Sequence, residues 1–239
     1  MGKIIATASG KGGTGKTTTV AAVAACLASL ECRTLAIDCD AGLRNLDLAL
    51  GMQDFAVSDL GDVLSGRMTL DEAVSEHPKV RGLYFIAAPA YRMPEELAPD
   101  AMDELVRAAA ESFDFVLLDA PAGIGSGFTL ATRAADTVLI VTTPELPSCR
   151  DAARAAEVLS GGGNREIRLV VNRVPPRRRR DVEPLIDEVG LQLIGVVRED
   201  PHILRSVATG EPLVLRATDG AARDFLDIAR RLRGDEIPI

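Results

Sequence analysis

The sequence predicts a doubly wound α/β fold, in which helices cover both faces of a mostly parallel β-sheet. Two observations support this prediction: short apolar runs recur along the chain, and segments of helical length separate most of them. The runs are apolar at consecutive positions, as expected for strands that are covered on both faces. The alternation of such strands with helices is typical of a parallel sheet.

The predicted elements follow in chain order. Strands are predicted at seven runs rich in Val, Ile and Leu, namely 3–9, 34–38, 83–88, 115–119, 137–143, 167–172 and 193–197. Helices are predicted between or after them at 16–29, 101–112, 148–159, 182–189 and 219–233. Ligands of such sheets bind at the carboxyl ends of the strands, so the residues that directly follow each strand are the candidates for function.

Composition narrows the class of protein. With 239 residues, of which 47% are hydrophobic, the chain can bury one substantial core, and we expect residues 1–239 to form a single domain. A net charge of -8 disfavours a surface devoted to nucleic acid or anionic lipid. The four cysteines lack the spacing of a zinc site. No signal peptide or long apolar run is present, so we expect a cytoplasmic protein.

A glycine-rich loop follows the first predicted strand. Residues 10–17, GKGGTGKT, match the P-loop pattern GxxxxGK[ST] between a strand and a helix. Glycines let backbone N–H groups turn toward phosphate oxygens, and the helix N-terminus adds positive potential. Lys16 is expected to bind the terminal phosphates, and the Thr17 hydroxyl is expected to face Mg²⁺. The predicted nucleotide contacts in this segment are Gly10, Lys11, Gly12, Gly13, Thr14, Gly15, Lys16, Thr17 and Thr18.

Three aspartates follow or end strands near this loop. Asp38 and Asp40 lie in IDCD at the end of the second predicted strand, and Asp119 ends the apolar run FVLLD, as the acidic residue of a Walker B element does. One carboxylate is expected to hold Mg²⁺ through water, and another to orient the attacking water. The strand pattern alone leaves open which does which.

Several segments resemble the ParA/MinD family of dimerising ATPases. KGGTGKTT is similar to the deviant Walker A motif of that family, whose distinguishing feature is the early lysine, here Lys11. Residues 37–51 resemble the switch I region of the family, and residues 117–127 resemble its switch II region. Three later motifs of the family resemble residues 142–154, 170–174 and 203–214. The resemblance covers nearly the whole chain, and the GLRNLD segment favours the MinD branch.

The resemblance implies a catalytic role for four residues. Lys11 would reach across a dimer to the phosphates bound by the other subunit, as a lysine counterpart of an arginine finger. Lys16 would bind phosphate within its own subunit. Asp40 would orient or activate the attacking water, and Asn45 would help to hold that water.

The same resemblance implies the remaining contacts with Mg²⁺ and ATP. Thr17 would ligate the ion, while Asp38 and Asp119 would support it through water. Asn172 would bind the adenine edge, a task that suits an amide because it both donates and accepts hydrogen bonds. The family commonly has a proline where this chain has Arg198, so we expect a base pocket that is built differently.

Partners are also implied by the resemblance. They are a second copy of the chain, held by ATP, a division inhibitor such as MinC, and a regulator such as MinE or a substitute for it. MinD members bind membranes through a C-terminal amphipathic helix, and no such pattern follows Leu232 here. Two explanations stay open: the anchor has been removed from this chain, or the protein works without one.

A rival function is a DNA-binding partition, cargo-positioning or flagellum-positioning ATPase. Its support in the sequence is the run Arg177–Arg180, which follows the predicted strand at 167–172. Four arginines in an acidic chain offer few phosphate contacts, so we interpret the run as a solvated loop and expect only weak DNA binding. Contact of the run with membrane phosphates stays open as a third alternative.

Overall fold

The computed structural model describes residues 1–89, 99–161, 165–175, 177 and 182–239. Within them, the strands form one sheet in the order β3-β4-β2-β5-β1-β6-β7-β8. All neighbours are parallel except β3 and β4. The predicted α/β fold is therefore confirmed. The strands are β1 (Lys3–Ala8), β2 (Thr34–Asp38), β3 (Ser75–Glu76), β4 (Leu83–Ile86), β5 (Phe115–Asp119), β6 (Thr137–Thr142), β7 (Glu166–Val174) and β8 (Gln192–Arg198).

The helices include all five that the sequence predicts, with bounds that differ by at most two residues. These are α1 (Lys16–Ser29), α5 (Pro99–Ser112), α7 (Leu146–Ser160), α8 (Glu183–Val189) and α10 (Gly220–Arg233). Among the described residues, five further helices lie outside the sequence prediction: α2 (Leu46–Leu50), α3 (Leu60–Leu64), α4 (Leu70–Ala73), α6 (Ser126–Arg133) and α9 (Pro201–Thr209). A 3₁₀ turn, Leu213–Leu215, precedes α10.

The two faces of the sheet are covered by different helices. Alternate strand residues point to opposite faces, so Ile4 and Ile5 of β1 belong to separate cores. One core lies between the sheet and α5, α6, α7 and α8. The other lies beneath α1, α2 and α10. Both faces being buried explains why the strands are apolar at consecutive positions.

The strand order determines where the candidate site residues meet. β1 lies between β5 and β6, and β5 lies between β1 and β2. Asp38 and Asp119 are in register at the carboxyl ends of β2 and β5. The loop after β1 opens at the same edge, so the sheet delivers both aspartates to it. Within the described ranges, none of the helices is long and apolar enough to cross a bilayer.

Candidate nucleotide site

The phosphate loop, residues 9–17, connects β1 to α1. Gly15 is the N-cap of α1 and has a φ of 93°, a left-handed conformation that glycine adopts without steric cost. Ser9 Oγ donates a hydrogen bond to the Lys11 carbonyl at 2.6 Å. The Gly123 N–H donates to the Ser9 carbonyl at 3.2 Å, so the segment after β5 is tied to the start of the loop.

Asn172 lies on β7 and contacts the same loop from the other side. It is 2% exposed, and its Nδ2 donates to the Thr14 carbonyl at 2.8 Å. Its Oδ1 accepts the Arg173 N–H at 2.9 Å. A Cβ atom at Gly15 would lie 2.2 Å from Asn172 Nδ2. The structure thus brings Asn172 to the phosphate loop, where its amide supports the loop backbone.

Lys16 and three aspartates form the charged centre of the site. Lys16 begins α1 and is 8% exposed. Asp38 Oδ1 accepts the Asp40 N–H at 2.9 Å, and Asp38 Oδ2 accepts the Leu46 N–H at 3.1 Å. Asp38 therefore fixes the start of the segment that leads to α2. Thr17 lies close enough to Asp119 to lower the pKa of that carboxyl.

Burial disfavours the ionised form of these carboxylates. Desolvation, reinforced by the nearby charge of Asp38, raises the pKa of Asp119 to about 7, although Lys16 opposes the shift. Desolvation likewise raises the pKa of Asp38 to about 6, against two backbone hydrogen bonds that lower it. The pKa of Asp40 is raised by burial and lowered by Lys16, with a net upward shift. A cation placed among these groups would relieve their mutual repulsion.

Of the buried oxygen atoms that lack a hydrogen-bond partner in the described part of the chain, one belongs to the phosphate loop and one to the end of β5. Among the residues that the structure describes, Asp119 Oδ1 and Thr14 Oγ1 are buried and have no hydrogen-bond partner. Buried polar atoms are nearly always satisfied in folded proteins, so these atoms fit a bound phosphate group and a hydrated cation. In the same part of the chain, no three His, Cys, Asp or Glu side chains are arranged to hold a metal directly. The site fits an ion whose ligands come mainly from phosphate, Thr17 and water.

Two of the predicted catalytic residues lie at the margin of this cluster. Lys11 is half-buried, and it forms no ion pair within the described ranges. Asn45 is exposed at the N-terminus of α2, and its side chain does not cap that helix. The structure therefore groups Lys16, Thr17, Asp38, Asp40 and Asp119, with Lys11 half-buried and Asn45 exposed beside them.

A cavity of about 420 Å³ opens beside the phosphate loop. Two of the predicted nucleotide contacts, Thr18 and Asn172, line it together with residues that the sequence does not indicate, among them Arg173, Pro201 and Leu204. Arg173 has a φ of 56°, which is unusual for a residue with a side chain. Its position in a bulge of β7 explains why no linear pattern predicts it. A larger cavity, of about 540 Å³, lies by α8, β8 and α10 and contains none of the predicted site residues.

Two side chains near this cavity bind acidic partners. Arg198 is not among the residues that line the cavity, because its guanidinium binds Asp224 of α10, with Nε–Oδ2 and Nη2–Oδ1 distances of 2.7 Å. His202 contacts Asp200 through Nδ1 at 2.8 Å. Arg177 is exposed, while Arg178, Arg179 and Arg180 lie outside the described residues, so the role of the arginine run stays a prediction.

Comparison with known proteins identifies the family. The model of the CobQ/CobB/MinD/ParA nucleotide-binding domain matches residues 5–213. The septum site-determining protein MinD of Synechocystis is 39% identical over 246 aligned positions, which cover 100% of this chain and 92% of the relative. The chain belongs to the MinD branch of this family. MinD of Thermotoga maritima is 35% identical, with 100% of this chain and 91% of the relative covered.

Solved MinD structures share the fold. The chain matches the MinD subunit in a MinC:MinD cell division complex of Aquifex aeolicus with a TM-score of 0.91 at 35% identity, over 99% of this chain and 98% of that one. It matches MinD of Pyrococcus horikoshii, solved with Mg-ADP, with a TM-score of 0.88 at 30% identity, over 98% and 97% of the two chains. These matches confirm the predicted P-loop fold and the resemblance to MinD.

Proposed function

We propose that this chain is a MinD-type ATPase switch, with residues 1–239 acting as one P-loop ATPase domain. It binds ATP with Mg²⁺, dimerises in that state and returns to the monomer after hydrolysis. The observation that carries the proposal is the arrangement of the phosphate loop: buried Lys16 lies among three carboxylates, while Lys11 of the same loop forms no ion pair among the described residues.

The residues of one subunit bind ATP and prepare it for attack. The N–H groups of the phosphate loop and the Lys16 ammonium hold the phosphate oxygens, and Thr17 contributes its hydroxyl as a ligand of Mg²⁺. When bound, Mg²⁺ neutralises charge that develops on the phosphates. Asp38 and Asp119 hold the water molecules around the ion. Asn172 supports the loop through its hydrogen bond to Thr14, and it lines the cavity proposed for the base.

Hydrolysis needs groups at the outer edge of the site. Asp40 is half-buried and close enough to Lys16 for the lysine to lower its pKa, so its carboxylate is placed to orient a water molecule near the terminal phosphate. Asn45, exposed at the start of α2, helps to hold that water. Lys11 acts on the nucleotide of the partner subunit, which makes turnover depend on the dimer because the last cation comes from the other copy.

The cellular task follows from the relatives. We propose that the ATP-bound dimer recruits a division inhibitor of the MinC kind, as MinD of Aquifex aeolicus is found in a MinC:MinD complex. A regulator such as MinE, or a substitute, would stimulate hydrolysis and release the dimer. The assembly would position the cell-division site from the cytoplasm or from the inner face of the membrane, where binding requires an anchoring segment.

Sedimentation velocity with Mg-ATP tests the proposal. The wild type should shift from monomer to dimer on addition of Mg-ATP. Lys16→Ala should lose ATP binding. Lys11→Ala should keep ATP binding as a monomer and lose both the dimer and turnover. Arg67→Gln, which alters an exposed arginine that pairs with Asp62, is the control and should behave as wild type.

Two results would overturn the proposal. If the Lys11→Ala variant dimerises and hydrolyses ATP like the wild type, Lys11 does not act across the dimer. Tight binding of duplex DNA that is lost when Arg177–Arg180 are replaced by alanine would favour the partition function instead. The steepness of the salt dependence would count the phosphate contacts involved.

A further inference from the structure

The segment after β8, residues 199–204, forms one wall of the 420 Å³ cavity and is here called the base-side segment. It begins next to β7, because the Glu199 N–H donates to the Val174 carbonyl at 2.9 Å. Glu199, Asp200, Pro201, Ile203 and Leu204 all line the cavity. The position of this segment therefore sets the distance between the wall and Asn172 on the opposite side.

Two acidic side chains join the base-side segment to α10. Asp224 of α10 is almost fully buried and receives three hydrogen bonds from Arg198: one from its backbone N–H at 3.0 Å, and two from its guanidinium at 2.7 Å. Asp200 accepts the Ala221 N–H of α10 at 2.9 Å through Oδ2, and the His202 N–H at 2.9 Å through Oδ1. Asp224 thus holds Arg198, the residue directly before the segment, while Asp200 joins the segment itself to α10.

The geometry leaves little freedom at this junction. A Cβ atom at Gly220, the first residue of α10, would lie 2.3 Å from Asp200 Oδ2. Arg198 also pairs with Val174 in the register of β7 and β8. Charge-assisted hydrogen bonds with two parallel contacts are the most directional that side chains make. The start of the base-side segment is consequently defined by α10 more than by its own helix α9.

We propose that Arg198 and Asp224 are positioning residues for the base pocket, which they hold at the width of one adenine ring. The inference rests on the proposed function, because it takes the 420 Å³ cavity as the site of the base. Neither residue touches the nucleotide. The pair fixes the backbone of the base-side segment so that the polar edge of the cavity meets the base in one orientation, as pre-organisation of a binding site requires.

The test measures the binding of ATP and of inosine triphosphate (ITP), which has a keto group where adenine has its amino group. The wild type should prefer ATP. Arg198→Gln should weaken ATP binding about tenfold, a typical size for coupling between linked sites. ITP binding should change little, so the preference for ATP should fall. The kcat at saturating ATP should be unchanged, because the phosphate loop and the carboxylates are untouched.

Further variants separate positioning from loss of structure. Asp224→Asn keeps the size of the side chain and should show the same loss of base preference. Arg198→Lys keeps the charge without the two-pronged contact and should recover part of the preference. Arg67→Gln removes the guanidinium from a comparable Arg–Asp pair that is not part of the site, and should leave both affinities unchanged.

Each result bears on one statement. The inference is overturned if Arg198→Gln and Asp224→Asn lose ATP affinity and ITP affinity equally, or if neither variant loses affinity for ATP. It is also overturned if the wild type does not distinguish the two nucleotides. A wild type that binds no ATP would refute the proposed function itself, and the inference with it.

Discussion

Replacing Gly15 with alanine should break the phosphate loop, and the structure sets the size of the effect. The φ of 93° places Gly15 in the left-handed region, where a residue with a Cβ atom lowers the stability by about 1–2 kcal/mol. The new Cβ would also lie 2.2 Å from Asn172 Nδ2. Asn172 must then move and give up its buried bond to the Thr14 carbonyl, which costs about 1–3 kcal/mol. The two contributions together amount to about 3 kcal/mol.

Urea denaturation and a matched control separate the two contributions. Gly190→Ala tests the backbone cost alone, since Gly190 has a φ of 70° and a Cβ atom there would meet no other atom within 4 Å. It should lower the free energy of unfolding by about 1–2 kcal/mol, with the larger loss in Gly15→Ala. Calorimetry should show that Gly15→Ala no longer binds ATP, whereas Gly190→Ala does.

A double-mutant cycle identifies the cause of the larger loss. In an Asn172→Ala background the amide that obstructs the new Cβ atom is absent, so Gly15→Ala should cost only the backbone contribution. The coupling free energy between the two sites should be about 1–2 kcal/mol. The reasoning is refuted if Gly15→Ala is no more destabilising than Gly190→Ala. It is also refuted if the losses of unfolding free energy in Gly15→Ala and Asn172→Ala simply add in the double mutant.

Three other predictions concern the carboxylates and the buried histidine. Asp40→Ala should bind ATP and form a long-lived dimer in sedimentation, with turnover reduced by ~10²- to 10⁴-fold. Asp119→Asn should raise the free energy of unfolding of the nucleotide-free protein at pH 8, because it removes a charge that burial disfavours. The same variant should lower Mg²⁺-dependent turnover. Burial lowers the pKa of His77 from 6.5, so stability should fall as pH drops through that value, where the unfolded state binds more protons. His77→Asn should flatten this pH dependence in urea titrations; an unchanged slope would assign it to other groups.

The sequence predicts the parts of the fold that local patterns determine. The long buried strands appear as apolar runs because both faces of the sheet are covered, and α1 follows directly from the phosphate-loop motif. The helices α2 and α9, of five and nine residues, lie outside the sequence prediction. Their positions depend on tertiary contacts, such as the close approach of Gly51 and Gly210 at their C-terminal ends.

The sequence predicts those residues of the site that belong to one motif or that end one strand. Lys16, Asp38 and Asp119 can be placed because the loop and the strand ends meet at one edge of a parallel sheet. The pair Arg198–Asp224 cannot, since it joins residues 26 positions apart and neither belongs to a known motif. No sequence pattern indicates the surroundings of His77, which is buried, with its Nε2 2.9 Å from the Leu50 carbonyl at the end of α2.

The most direct test of the account mixes two inactive variants. In a mixed dimer of Lys11→Ala with Asp40→Ala, the Lys11→Ala subunit keeps its own Asp40 and would receive Lys11 from its partner. The other site would lack both groups. ATPase activity is measured for each variant alone and for the mixture, at protein concentrations high enough to drive dimerisation. Recovery of activity in the mixture alone is the result that a lysine acting across the dimer predicts. A mixture as inactive as its components, with mixed dimers demonstrated by cross-linking, would contradict it.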